Sequence, residues 1–442
     1  MRTQEAEHAS TRPQHAPDVG EPVPTVGGAY AYYVLGVLFV VYVFNFIDRQ
    51  LLAILLQPIK EDLQVSDTAM GFLTGFAFAV FYTFAGLPLA RVADRWVRRS
   101  LIALSLATWS VMTAVSGLAR GFPDLALARI GVGIGEAGCT PPAHSLLCDY
   151  FPPEKRATIL SLYAIGVYVG VGIGFWLGGW LYDAFGWRTA FFVLGLPGVA
   201  LALLVRLTVR EPPRGLSERQ VASGRDYQVR ETWRFLSTLP TGYRIGLAAA
   251  FHAFASYGLG AWIPTFFVRI HQMTPGELGQ WLSWILALGG AIGAFSGGWL
   301  ADRWGRRNPR ARVYISMVGV VLTTPFIALS LLLTDPKWAL LSYLPATIFG
   351  TLWLGPSGAI VQDLVPPAMR AMASAMFIFI LTIIGMGMGP QVVGLLNDWL
   401  GTPDAIRYSL LWTAVAMNLI SAVFFWLAGK TLVQDLEAKQ RL

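Results

Sequence analysis

Charge is scarce in this sequence. Only 13% of its 442 residues are Asp, Glu, Lys or Arg, and 55% are hydrophobic; a soluble domain carries about 25% charged residues. That deficit excludes an ordinary soluble core and leaves a bilayer as the solvent. Cysteine is nearly absent. Cys139 and Cys148 fit neither a disulfide framework nor a metal-ligand spacing, and read as small residues tolerated in an apolar helix. Residues 1–27 are polar and rich in Pro and Gly, lack the apolar core of a signal peptide, and read as a disordered cytoplasmic tail. The net charge of +7 is spread over short loops, which makes it a topology signal and excludes nucleic acid as a partner.

Long apolar runs are what the chain does have. Twelve are discernible, at about 30–56, 68–92, 100–119, 123–148, 157–181, 189–209, 241–269, 277–301, 312–333, 338–363, 370–396 and 406–430, each near the length that crosses hydrocarbon as a helix. The fold class is all-α integral membrane, with twelve transmembrane helices in two six-helix bundles. A charged stretch, 211–240, divides a first bundle (28–210) from a second (241–431), and 432–442 form a tail. Within the stretch, "YQVRETWRFL" is either an interfacial helix on the inner leaflet or a plain solvated linker. An even number of spans puts both termini on one side. With that side taken as cytoplasmic, its loops and tails hold about 25 Lys and Arg against about six opposite. The chain is thus expected to be a multi-pass protein of the cell (inner) membrane, with the bilayer as partner and a monomer as its state.

The halves repeat. "ARVADRWVRRS" (90–100) matches "GWLADRWGRRN" (298–308), "DYFPPEKRA" (149–157) matches "DLVPPAMRA" (363–371), and "GWLYDAFG" (179–186) matches "GLLNDWLG" (394–401). Three matches in the same order indicate duplication, and parallel six-helix repeats are an architecture of secondary transporters. "GWLADRWGRRN" resembles the loop signature of the major facilitator superfamily, and "GVGIGFWLGG" (170–179) its glycine-rich fifth helix. More narrowly, "NFIDRQLL", "RIGVGIGEAG", "FGWRTAFFVLGLPG" and "VREPPRG" are similar to the spinster family of lipid transporters. The superfamily resemblance implies charge clusters that close the cytoplasmic side. Asp94, Arg95, Arg98, Arg99 and Asp149 would form one, and Asp302, Arg303, Arg306 and Arg307 with Asp363 the other. Partly exposed pairs of this kind, worth about 0–1 kcal/mol each, make a reversible latch.

Ionisable residues inside the spans are few and are functional candidates by default. They are Asp48, Arg49, Arg129, Glu136, His144 and His252. At about 1.5 Å per residue, Asp48 lies about 12 Å below the outer end of the first helix, and Arg129 and Glu136 about 9 and 20 Å below that of the fourth. Two acids and two bases therefore share one level. Arg129 and Glu136, two turns apart, face nearly one direction, with Gly131, Gly133 and Gly135 between them allowing a close neighbour. The resemblance implies that the first and fourth helices both line a central cavity. Burial favours a neutral carboxyl and a nearby arginine favours a charged one, so Asp48 and Glu136 are the expected proton sites. Arg129 and Arg49 are the expected anion contacts. A static ion network that fixes packing is the bland alternative. Consecutive helical residues diverge by about 100°, so Asp48 facing the cavity with Arg49 facing packing is one arrangement, and which of the two faces the cavity is left open. His144 and His252 read as hydrogen-bonded helix histidines. "HSLLCD" (144–149) matches an acyltransferase pattern, but its Asp belongs to the repeated loop and no second block accompanies it.

The second half offers aromatics in place of charges, among them Tyr257, Trp262 and Trp353. A cavity charged on one side and aromatic on the other suits an amphiphile with an acidic head. Gly258, Gly260 and Pro264, and Gly389 with Pro390, mark helix bends suited to gating. The expectation is a proton-coupled secondary transporter of an amphipathic lipid such as a lysophospholipid or sphingoid phosphate, with a symporter of a small organic anion as the alternative. No enzyme constellation, metal site or organic cofactor is called for; the proton is the coupling ion.

Overall fold

A computed structural model describes residues 26–217, 229–366 and 369–440. The expected disordered tail and the middle of the linker fall largely outside these. Nine of the helical runs among the described residues are long and apolar enough to cross a membrane, and the described helices follow the twelve apolar runs. They are α1 (Ala29–Ile54), α2 (Asp67–Arg95), α3 (Arg98–Ser116), α4 in two pieces (Phe122–Ala137 and Thr140–Tyr150), α5 and α6 within the run Pro153–Thr208, α7 (Pro240–His271), α8 (Pro275–Gly305), α9 (Arg310–Leu332), α10 (Pro336–Leu364), α11 (Met372–Leu400) and α12 (Ala405–Gln440). Gly186, at φ 81°, separates α5 from α6.

Two local features bear on the site. The fourth span, expected as one helix, breaks at Gly138–Cys139. Pro141 and Pro142 follow, and without an N–H neither can bond the carbonyl four residues back. Glu136 therefore stands on the last turn of the first piece. The glycine-rich α5 explains where α1 sits. Gly170 and Gly174 lie against the backbone of Val43 and Ile47, where a Cβ would approach to 2.6 and 3.0 Å. That approach draws Asp48 and Arg49 toward the centre of the first bundle.

α1–α6 and α7–α12 meet along two seams, α2 on α11 and α5 on α8. All hydrogen bonds and ion pairs that join the halves among the described residues lie at the face away from the termini. They involve Gln57, Asp67, Thr68 and Asp183 of the first half and Arg269, Thr274, Gly276, Gln391 and Asp398 of the second. At the terminal face the groups of the repeated loops stand apart in solvent: Asp94, Arg95, Asp302, Arg303 and Arg306 are exposed. Polar contacts between the halves thus close the far face, and among the described residues none joins the halves at the terminal one.

Part of the charged linker is helical. Val229–Thr238 forms a helix that tucks Phe235 and Leu236 against the core of the second bundle and leaves Trp233 exposed. A bare solvated linker is thereby replaced, over these residues, by a docked amphipathic helix.

Candidate functional site

The four intramembrane charges expected at one depth meet as two ion pairs. Arg49 Nε donates to Glu136 Oε2 at 2.7 Å, and Arg129 Nη1 to Asp48 Oδ2 at 3.3 Å. Thr113 of α3 donates its hydroxyl to the other Asp48 oxygen at 2.5 Å. Glu136 is fully buried, and its second oxygen, Oε1, has no hydrogen-bond partner; Arg129 Nε is likewise buried and unpartnered. Unsatisfied polar atoms at this depth are costly, and the set is charge-balanced without being fully hydrogen-bonded within the protein.

Of the arrangements left open for Asp48 and Arg49, the structure has the one with Asp48 turned inward. Asp48 points into the bundle toward Thr113, beside a void of about 10 Å³ that Trp109 and Leu194 also line. Arg49 is the member that reaches the interval between the halves, with 17% of its side chain exposed. Its position on α1 places Asp48 against α3 and α4, and the next residue swings round toward α2. There the guanidinium is boxed by aromatic rings, with Phe46, Phe78 and Tyr82 centred 5.0, 4.9 and 5.2 Å from its carbon. Tyr257 of α7, 42% exposed, is within electrostatic reach of Arg49 from the other half. Only Nε of the Arg49 guanidinium is hydrogen-bonded among the described residues. Nothing in the sequence singled out Thr113, Phe46, Phe78 or Tyr82. Their roles come from rotation and packing, which spacing does not reveal.

Two expected substrate contacts lie elsewhere. Trp262 is fully buried and donates its indole N–H to the carbonyl of Pro390 at 2.9 Å, so it ties α7 to α11 instead of lining the opening. Trp353 is 7% exposed and packs edge-on against His252. His252 in turn bonds the Gly350 carbonyl and Asn418, both at 2.8 Å, as a hydrogen-bonded helix histidine. Gly258 abuts the Gly389 carbonyl, and α7 runs without a break through Gly260 and Pro264. Before Gly389 and Pro390, α11 widens into a π-helical stretch, Leu381–Met388, a feature common at functional sites. A matching stretch, Phe72–Phe76, interrupts α2 across the seam.

The loop charges resolve into clusters within each half. Arg98, almost fully buried, binds Asp149, Ser145 and Glu211, and its neighbour Arg99 donates its backbone N–H to Glu211. Glu211 was not anticipated; it fastens the start of the linker onto α3. In the second half Asp363 pairs with Arg312 at 2.5 Å, while Asp302, Arg303, Arg306 and Arg307 of its expected cluster are exposed. Arg306 sits in the loop beyond α8, whereas Arg312 stands on the first turn of α9 and reaches the end of α10. Among the described residues no metal-binding group is present.

Comparison with known proteins bears on the whole chain. The family model of the Major Facilitator Superfamily matches residues 38–390. An "MFS-type efflux pump" of Mycolicibacterium smegmatis is 36% identical over 94% of this chain and 96% of its own. Human "Protein spinster homolog 1" is 28% identical over 88% of this chain and 79% of its own. A crystal structure described as a bacterial homolog to the human lysosomal transporter Spinster, in an inward-facing and unoccupied conformation, is similar at a TM-score of 0.85 and 32% identity. It covers 92% of this chain and 99% of its own.

Proposed function

The chain belongs to the major facilitator superfamily, as a secondary transporter related to the spinster family, and from that premise we propose that it moves an amphipathic, anionic lipid by proton-coupled alternating access. The observation that carries this reading is the divided state of Arg49. One nitrogen is held by Glu136, the two terminal nitrogens make no hydrogen bond among the described residues, and the second oxygen of Glu136 is buried without a partner. Glu136 Oε1 makes no hydrogen bond to the protein among the described residues, so a proton taken up there breaks no protein contact. Neutralising the carboxyl weakens its hold on Nε and frees the whole guanidinium for an acidic head group. Loss of the proton restores the pair and releases the head. Asp48 and Arg129 form the second pair of the same set and are the reserve proton and anion sites. The surrounding Phe46, Phe78, Tyr82 and Tyr257 suit an amphiphile, since an apolar chain can lie along rings that a small polar acid would leave unused.

Orientation follows from the Lys and Arg asymmetry: the open, terminal face is the cytoplasmic one. The exposed Asp94 and Asp302 loops are then the parts that approach one another when that face closes. Transport in proteoliposomes, with lysophospholipids and small organic acids offered separately under an imposed pH gradient, tests the proposal. Uphill movement of the lysolipid is expected, and Glu136→Gln is expected to abolish its dependence on the gradient. Accumulation of the small acids alone would replace the lipid reading with the organic-anion one. A Glu136→Gln protein still driven uphill by protons would remove Glu136 from the coupling step.

A further inference from the structure

The far face is closed by two carboxylates that occupy equivalent places in the repeat. "GWLYDAFG" and "GLLNDWLG" align Asp183, at the end of α5, with Asp398, near the end of α11. A second alignment sets "QVSDTAMG" (64–71) beside "QMTPGELG" (272–279), the segments that open α2 and α8. Their backbones agree in detail. Gln64 and Gln272 are the two non-glycine residues at positive φ among the described residues, at 51° and 54°. Two positions later Ser66 and Thr274 cap their helices, accepting from the N–H of Ala69 and Glu277.

Each carboxylate reaches across to the helix start in the opposite half. Asp398 accepts the N–H of Thr68 at 2.7 Å and of Asp67 at 3.1 Å. Asp183 accepts the N–H of Gly276, the equivalent of Thr68, at 3.1 Å. The equivalent of Asp67 is Pro275, which has no N–H to give, and there the hydroxyl of Thr274 donates to Asp183 instead, also at 3.1 Å. The approach is close on both sides: a Cβ at Gly394 would strike the carbonyl of Asp67, and one at Gly179 that of Pro275. These glycines, too, are equivalent in the repeat.

We infer that Asp183 and Asp398 are positioning residues of the transport cycle, a duplicated latch in which each half caps a helix of the other. The first turn of a helix has N–H groups without internal partners and the positive end of its dipole, so a carboxylate there is doubly favourable. Both aspartates are exposed, so water replaces them at modest cost when the seam parts. The latch is firm enough to close the face and weak enough to open. The two sides differ in one respect. Asp67 also receives Arg269, at 2.5 and 2.6 Å, and Lys60, at 2.5 Å, whereas Pro275 offers no counterpart. The α5–α8 seam thus depends on its cap more than the α2–α11 seam does. The inference is independent of the substrate and of the coupling ion.

Distances between spin labels test it in the full-length protein, with Cys139 and Cys148 replaced by alanine. One labelled pair, at Phe185 and Gln280, spans the α5–α8 seam; another, at Glu61 and Trp399, spans α2–α11. Asp183→Ala and Asp398→Ala are each expected to raise the separated population about two- to thirtyfold, the worth of one cap, with Asp183→Ala the larger. Asn at either position keeps an acceptor oxygen and is expected to retain most of the closure. Unchanged distances in the alanine proteins overturn the latch. Asn opening the face as far as Ala shows that charge, not capping, acts there, and equally overturns it. Should Asp183→Ala not yield folded protein, Thr274→Val reads the same contact from the other half, and no shift in its α5–α8 distances refutes the cap on that seam.

Discussion

Arg49 and Glu136 share one hydrogen bond of 2.7 Å, and each keeps something back: the arginine its two terminal nitrogens, the glutamate a buried oxygen without a partner. On the proposed coupling role, a pair so arranged does more than fix packing. Its members are balanced against each other, and removing one strands the other.

That stranding is measurable. Arg49→Ala leaves a carboxylate buried without its cation, a loss of about 3–5 kcal/mol for such sites. Glu136→Gln made in the same chain removes the stranded charge. The double variant is therefore expected to melt above Arg49→Ala in thermal unfolding of the purified protein. Strictly additive losses would show that the two side chains do not act as a pair.

Asp48 supports a second test, since its inward orientation makes Thr113 its partner. Thr113→Val keeps the shape and removes the donor, leaving Oδ1 of Asp48 without the 2.5 Å bond. A hydrogen bond to a charged group contributes about 1.5–3 kcal/mol. A destabilisation of that order, read as a fall in melting temperature, is expected for Val and little change for Ser. If Val and Ser melt alike, Asp48 is satisfied from elsewhere.

The quartet was legible in the sequence because charges inside a span are rare and helix rise converts position into depth. Which of Asp48 and Arg49 faces the opening was not, because that depends on the rotation of α1, set by glycines on α5 far along the chain. Trp262 and Trp353 misled for a related reason: an aromatic in a span serves core, lipid and cavity alike, and only contacts tell them apart. The fold itself followed from apolar run lengths and the repeat. Its far-face closure did not, since Asp67 and Arg269 look like unrelated loop charges until two helix ends are brought together.

At the terminal face the two kinds of loop charge are expected to behave differently. Arg98, buried and bound to Asp149 and Glu211, holds the start of the linker. Arg98→Ala is expected to speed proteolytic cleavage near residues 211–217 at least severalfold. Asp94 is exposed and has no ion pair among the described residues in this open arrangement. Asp94→Asn is expected to leave thermal stability unchanged while shifting label distances across the terminal face toward the open form. No shift would remove Asp94 from the closing contact.

The glycines of α4 make a graded test of how the charge set is positioned. A Cβ at Gly131 would meet the side chain of Met112, at 2.6 Å, which is flexible enough to move aside. At Gly135 it would meet the backbone nitrogen of Trp109, at 2.7 Å, and the carbonyl of Ser105, at 3.1 Å. Backbone in a packed helix yields far less readily than a methionine. Gly131→Ala is therefore expected to cost little, its crowding partly offset by the better helix propensity of alanine. Gly135→Ala has to push α4 from α3, costing about 1–3 kcal/mol. It also moves Glu136, the adjacent residue, relative to Arg49, so a drop in proton-driven transport beyond the loss of folded protein should accompany it. Equal melting temperatures and equal transport for the two variants would mean that α3 does not fix the depth and direction of Glu136.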